Sequence, residues 1–105
     1  MRGDIVELRV DPHGKGHEQR ERHYVVVLQS DTVSSSTVVA APTTTGMWDV
    51  SFHPKIEFNG EPALVLIEQM TVMDPAIRFG RKVGRVSPAE QVEIDRAAKL
   101  ALGLF

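Results

Sequence analysis

Two stretches decide most of what this chain can fold into: Tyr24-Val25-Val26-Val27-Leu28 and Thr37-Val38-Val39-Ala40-Ala41. A strand with one wet face alternates apolar and polar residues, whereas a β-branched run without alternation has both faces covered. These two runs are therefore expected as central, doubly buried strands, joined by the polar Gln29 to Ser36 connection. The chain has 105 residues, 42% of them hydrophobic, enough for one core and no more, so residues 1–105 are read as a single domain.

Shorter signals surround this centre. Residues 3 to 10 alternate, with Val6, Leu8 and Val10 on one face and Ile5, Glu7 and Arg9 on the other, the pattern of a half-buried strand. Asp11 to Arg22 carries Pro, two Gly and dense charge without periodicity, which predicts a long exposed loop. Pro42 is expected to stop the second central run by removing a ladder donor, with Thr43-Thr44-Thr45-Gly46 forming a hydroxyl-rich turn. Further strands are expected at 50–58, 63–69 and 82–86, connected through Asn59-Gly60 and Asp74-Pro75 turns.

The period changes near the end. Ser87 suits an N-cap, Pro88 the first helical position, and Glu90 completes a capping box. Ile94, Ala97, Ala98, Ala101 and Phe105 form one stripe of the resulting helix, with Gln91, Asp95, Arg96 and Lys99 opposite. Strands first and a helix last give an α+β fold, a small curled sheet or barrel closed by a C-terminal helix.

Charge and composition narrow the function. The formal net charge is -2 and there is no cysteine, so the chain neither coats nucleic acid by bulk positive charge nor builds a thiolate metal site. No apolar run is long enough to span a bilayer, and MRGDIVEL lacks a secretory layout; a cytoplasmic protein without a membrane partner is expected. Positive charge is local: Lys15, Arg20 and Arg22 lie beside His13, His17 and His23, while Arg78, Arg81, Lys82 and Arg85 form a second group. Each group is either a solvated loop or a nucleic-acid contact.

The first group has the chemistry for cutting RNA without a metal. That reaction needs a base for the 2′-hydroxyl proton, an acid for the leaving 5′-oxygen and donors to hold the phosphate. His17 and His23 are suited to the proton transfers and Arg22 to the phosphate; Thr44 adds a hydroxyl donor, and Glu18 or Glu68 a base or orienting carboxylate. Glu68 follows the apolar Leu64-Val65-Leu66-Ile67, so it either reaches water at the strand end or requires a partner. His53 reads as a polar strand residue, and no His and carboxylate pair has a convincing helical ligand spacing, so neither metal nor cofactor is expected. Trp48 either stacks an RNA base or packs on the sheet.

End to end, the chain resembles the MazF/PemK family of toxin endoribonucleases. The likeness rests on Arg2-Gly3-Asp4-Ile5, Asp11-Pro12, Gly16-His17-Glu18-Gln19, Val25 to Asp31, Pro42-Thr43-Thr44-Thr45, Glu68-Gln69 and a closing Leu102-Gly103-Leu104. It implies an SH3-like barrel with a C-terminal helix, a homodimer, cleavage of single-stranded RNA at short sequences and inhibition by a cognate antitoxin. Carried over by position, Thr44 matches the family threonine near the scissile phosphate and Glu18 the loop glutamate. His17 and Glu68 fall where the Kid branch has a catalytic histidine and aspartate. Arg20, Thr43, Thr45, Trp48 and Gln69 are expected to contact RNA.

One departure stands out. Where the family has Arg-Pro before its V-V-V strand, this chain has His23-Tyr24. Either His23 replaces the arginine with Arg22 assisting, the reading favoured here, or the enzyme is weakened and only binds its antitoxin. The gyrase poison CcdB shares the fold and a strand motif similar to Val27-Leu28-Gln29-Ser30-Asp31. It acts through a helix end containing tryptophan, whereas this helix ends Leu102-Gly103-Leu104-Phe105. The Gly16-x-Glu18 and Pro42-x-Thr44-Thr45 motifs favour the nuclease.

Overall fold

The computed structural model describes residues 1–9, 23–46 and 52–104. The chain runs β1 (Asp4–Leu8), β2 (Tyr24–Val27), β3 (Val38–Thr44), β4 (Lys55–Phe58), β5 (Glu61–Val65), a 3-10 turn (Ile67–Gln69), β6 (Thr71–Met73), a short helix α1 (Pro75–Arg78), β7 (Phe79–Arg85) and α2 (Pro88–Leu102). The strands form a curled antiparallel sheet in the order β4-β5-β3-β2-β1-β7, with β6 also on β3. Its two outer strands approach each other: a side chain at Gly84 would lie 3.8 Å from Phe58 Cβ. The α+β half-barrel with a terminal helix is as expected.

The two apolar runs do lie at the centre, the first buried on both faces and the second less completely, with Thr37 and Val39 only half-buried. Val25, Val26 and Val27 are each 0% exposed, and Val26 and Val25 sit in different clusters on opposite faces of the sheet. β1 departs from the half-buried expectation. Ile5 and Val6 are both buried, because α2 covers the Ile5 face while Val25, Val27, Met73 and Phe79 gather with Val6 on the other. The expected exposed loop from Asp11 to Arg22 lies outside the described residues.

β3 also overruns its expected end. Pro42 removes one donor, yet the strand passes through it because β3 changes neighbours there. Val38–Ala40 pair with β6, Ala40–Pro42 with β2, and Thr43 and Thr44 with β5. The Pro42 carbonyl still accepts from Leu66 N at 2.9 Å, so the lost donor falls at a change of partner.

Three expected strands change length. The one expected at 50–58 begins at Lys55, and that expected at 82–86 is already paired from Phe79. The strand expected at 63–69 ends at Val65, and Glu68 sits on the 3-10 turn instead. The Asn59-Gly60 turn joins β4 to β5 as read: both residues have positive φ (56° and 76°), the backbone of a two-residue hairpin loop. The Asp74-Pro75 signal opens α1, whose first turn Asp74 caps by accepting from Ala76 N.

Helix α2 starts as the sequence predicts. Ser87 Oγ accepts from Glu90 N at 3.1 Å, and Glu90 Oε1 accepts from Ser87 N at 2.8 Å. The second oxygen of Glu90 accepts from Glu57 N at 2.8 Å, tying the helix start to β4. Ile94 and Ala97 are buried and Ala98 partly so, but Ala101 is exposed, so the packed stripe is shorter than expected; Phe105 lies outside the described residues. No helix among the described residues is long and apolar enough to cross a membrane.

Candidate active site

A cleft of about 450 Å³ opens where three parts of the sheet converge. His23 and Tyr24, at the start of β2, form one wall, and Pro42-Thr43-Thr44-Thr45, at the end of β3, form the floor. The β4–β5 hairpin supplies Phe58, Asn59, Glu61 and Pro62, while Leu66 and Gln69 close the cleft from the 3-10 turn. The convergence follows from the partner change in β3: past Pro42 the strand leaves β6 for β5, carrying the threonines toward the hairpin.

The adjacent threonines are not equivalent. Thr43 Oγ1 donates to the Tyr24 carbonyl at 3.0 Å, so its proton is committed to holding β3 against β2. Thr44 Oγ1 instead accepts from Gly46 N at 3.1 Å. A hydroxyl has one proton and two lone pairs. Thr44 is thus oriented by an accepted bond while its own O–H stays available to an anion in the cleft. Thr45, at the rim, is exposed.

The aromatic part of the cleft is built by Tyr24 and Phe58, whose rings meet edge to face at 5.1 Å and 67°. His23 is exposed, and its carbonyl accepts from Leu8 N at 2.8 Å, which fixes its backbone at the mouth of the cleft while leaving the imidazole in water.

Of the residues singled out by sequence, the structure therefore brings together His23, Thr43, Thr44, Thr45 and Gln69. It does not bring Glu68 to them. Glu68 turns toward α2, where both its oxygens contact His53 Nε2, at 2.8 and 3.0 Å. The partner demanded by a carboxylate beside an apolar strand is thus a histidine 15 residues away. His53 is not the polar strand residue expected: it precedes β4, its side chain is 11% exposed, and its ring rests against Phe52 at 4.2 Å. His17, Glu18, Arg20, Arg22 and Trp48 lie outside the described residues.

Sequence reasoning missed Tyr24, Phe58, Asn59, Glu61 and Leu66. The Asn59-Gly60 hairpin was legible, but nothing local says that its strands return to the threonines. Only the pairing of Thr43 with Val65 and Thr44 with Leu64 does.

Comparison with known proteins places the chain in a family. Residues 1–102 match the family described as PemK-like, MazF-like toxin of type II toxin-antitoxin system. A putative toxin of Mycobacterium tuberculosis is 27% identical over 104 residues, covering 99% of this chain and 98% of that protein. The endoribonuclease MazF of Staphylococcus epidermidis is 29% identical, covering 98% and 91%. Among solved structures, a mycobacterial endoribonuclease in complex with its cognate antitoxin superposes with a TM-score of 0.78 at 18% identity, covering 100% of this chain and 96% of that one. With the match spanning all but the last three residues, the chain belongs to the PemK-like, MazF-like toxin family of type II toxin–antitoxin systems.

Proposed function

We propose that this protein is the toxin of such a pair, a sequence-specific endoribonuclease that cuts single-stranded RNA without a metal and thereby arrests growth. The observation that carries the reading is the cleft itself, where a free hydroxyl donor on Thr44 and the exposed imidazole of His23 share one aromatic-sided space. Membership of the family supports it. A homodimer acting in the cytoplasm, its site blocked by a cognate antitoxin, completes the proposal.

In the reaction the ribose 2′-oxygen attacks the adjacent phosphorus and the bond to the 5′-oxygen breaks, leaving a cyclic phosphate and a 5′-hydroxyl. Thr44 donates to a non-bridging phosphate oxygen, an interaction that strengthens as charge builds up. His23 serves the leaving oxygen as acid or the phosphate as cation, both roles open to an imidazole. Arg22, Glu18 and His17 are assigned with it by family position, Arg22 as the second cation and the other two as groups for the 2′-proton. Tyr24 and Phe58 offer ring surface to a base, and Gln69 and Asn59 amide edges that read it. Glu68 acts through His53, holding the turn that presents Gln69, rather than as a catalytic carboxylate.

The test is to incubate the purified protein with long single-stranded RNA in excess chelator, beside Thr44→Ala and His23→Ala, and to map fragment ends. Cleavage at a few short sequences that disappears in Thr44→Ala supports the reading. Intact RNA while expressing cells still stop growing overturns it and directs the search to gyrase.

A further inference from the structure

The second basic group, on α1 and β7, has no part in the cleft. Lys82 Nζ and Arg85 Nη1 both lean on one carboxylate oxygen of Asp4, at 3.1 and 3.0 Å. Arg78 and Arg81 are exposed, and neither is paired with an acid among the described residues. Arg9 joins them from just past the end of β1. Its Nε donates to the Phe79 carbonyl at 2.8 Å, and its backbone N donates to the Arg78 carbonyl at 2.8 Å.

The local backbone is shaped for this meeting. β1 and β7 slip register between Val6 and Leu8, so that two residues, Gly80 and Arg81, stand opposite Glu7 alone. Such a bulge re-aims the side chains beside it. A Cβ at Gly80 would come within 3.0 Å of the Glu7 carbonyl and 3.8 Å of Arg9 Cγ. Glycine is what lets the strands close here and lets Arg9 lie across β7.

The cluster is continuous with the cleft. Leu8 pairs with Phe79 on one side, and on the other its amide donates to the carbonyl of His23, a residue that lines the cleft. From His23 to the Arg78–Phe79 junction is two strand spacings, about 10 Å, within the reach of an RNA strand leaving the site. Guanidinium groups without a carboxylate partner suit phosphates, which they bind bidentately.

Resting on the ribonuclease reading above, we propose that Arg9, Arg78 and Arg81 form an accessory phosphate subsite that grips single-stranded RNA beyond the scissile bond. Short substrates confined to the cleft do not reach it; longer ones do.

The experiment compares wild type with the Arg78→Gln, Arg81→Gln double variant on two RNAs sharing one cleavage sequence, one barely longer than that sequence and one extended by several nucleotides on both sides. Arg9 is left in place because it also holds Phe79. For the extended RNA, removing two phosphate contacts flattens the salt dependence of log KM by about 1.4, so the variant's disadvantage shrinks about sevenfold between about 50 and 200 mM salt. On the short RNA that salt-dependent difference is much smaller. An unchanged slope on the extended RNA overturns the subsite, as does an equal loss on both RNAs. An unchanged slope with weakened antitoxin binding also overturns it and assigns the face to an acidic polypeptide. If wild type cuts neither RNA, the ribonuclease reading fails and takes the subsite with it.

Discussion

The two halves of β3 follow different rules. From Val38 to Ala41 the strand is paired with β6 and then β2 along its edges, Val38, Ala40 and Ala41 are buried with Val39 half-buried, and its residues are apolar throughout. From Pro42 to Thr44 it is only partly buried, it has exchanged one neighbour, and its residues are chosen for what their oxygens do. A single strand can thus be rigid at one end and chemically equipped at the other, and the rigid end gives the equipped end its precision.

That contrast can be broken by substitution. On the packed side, Ile5→Ala empties a fully buried position in the cluster that holds Ala41, and is expected to cost about 2–5 kcal/mol in denaturant unfolding. A loss well under 1 kcal/mol would mean that this half is not the anchor described. Thr44→Ala should do the reverse: cleavage falls by about 10²- to 10³-fold, the usual cost of losing one donor to a developing oxyanion, with the unfolding midpoint nearly unmoved. Equal losses of activity and stability would show Thr44 to be a structural residue.

Thr43→Ala lies between these. It frees the Tyr24 carbonyl and should cost about 1 kcal/mol of stability, with a smaller fall in cleavage than at position 44. A larger fall at 43 than at 44 would exchange their roles. The smallest effect is expected of Glu68→Gln, which keeps the shape of a half-exposed side chain while removing its charge beside His53: at most about 1 kcal/mol in stability and a modest rise in KM with kcat largely kept. A collapse of kcat there would restore Glu68 to the chemistry.

What could be read from the sequence was local. Ser87 and Glu90 announce their helix because a capping box closes within four residues, and Asn59-Gly60 announces its hairpin because few other residues accept positive φ twice in succession. The centre of the sheet was legible because Val25 to Val27 admit no wet face. Glu68 was misplaced because the apolar run from Ala63 to Ile67 contains no breaker, and the strand ends for a tertiary reason: Leu66 N is drawn to Pro42 and Ile67 is buried against α2. His53 and Glu68 could not be paired in advance, since nothing in either neighbourhood names the other. For the cleft, side-chain chemistry offered Thr44 and His23, and family position supported Thr44 and added Gln69; the opposite wall of Phe58, Asn59 and Glu61 is reached only through the β3–β5 register.

The near-meeting of the outer strands at Gly84 and Phe58 matters beyond the cleft. An open sheet edge is a template on which further copies can add strand by strand, and long, flat, apolar edges are where aggregation begins. Here β4 is four residues long, and the curl brings it toward β7, which carries Arg81, Lys82 and Arg85. Short, curved and charged edges resist such stacking, so the same curl that forms the cleft also protects the chain from fibrous self-association.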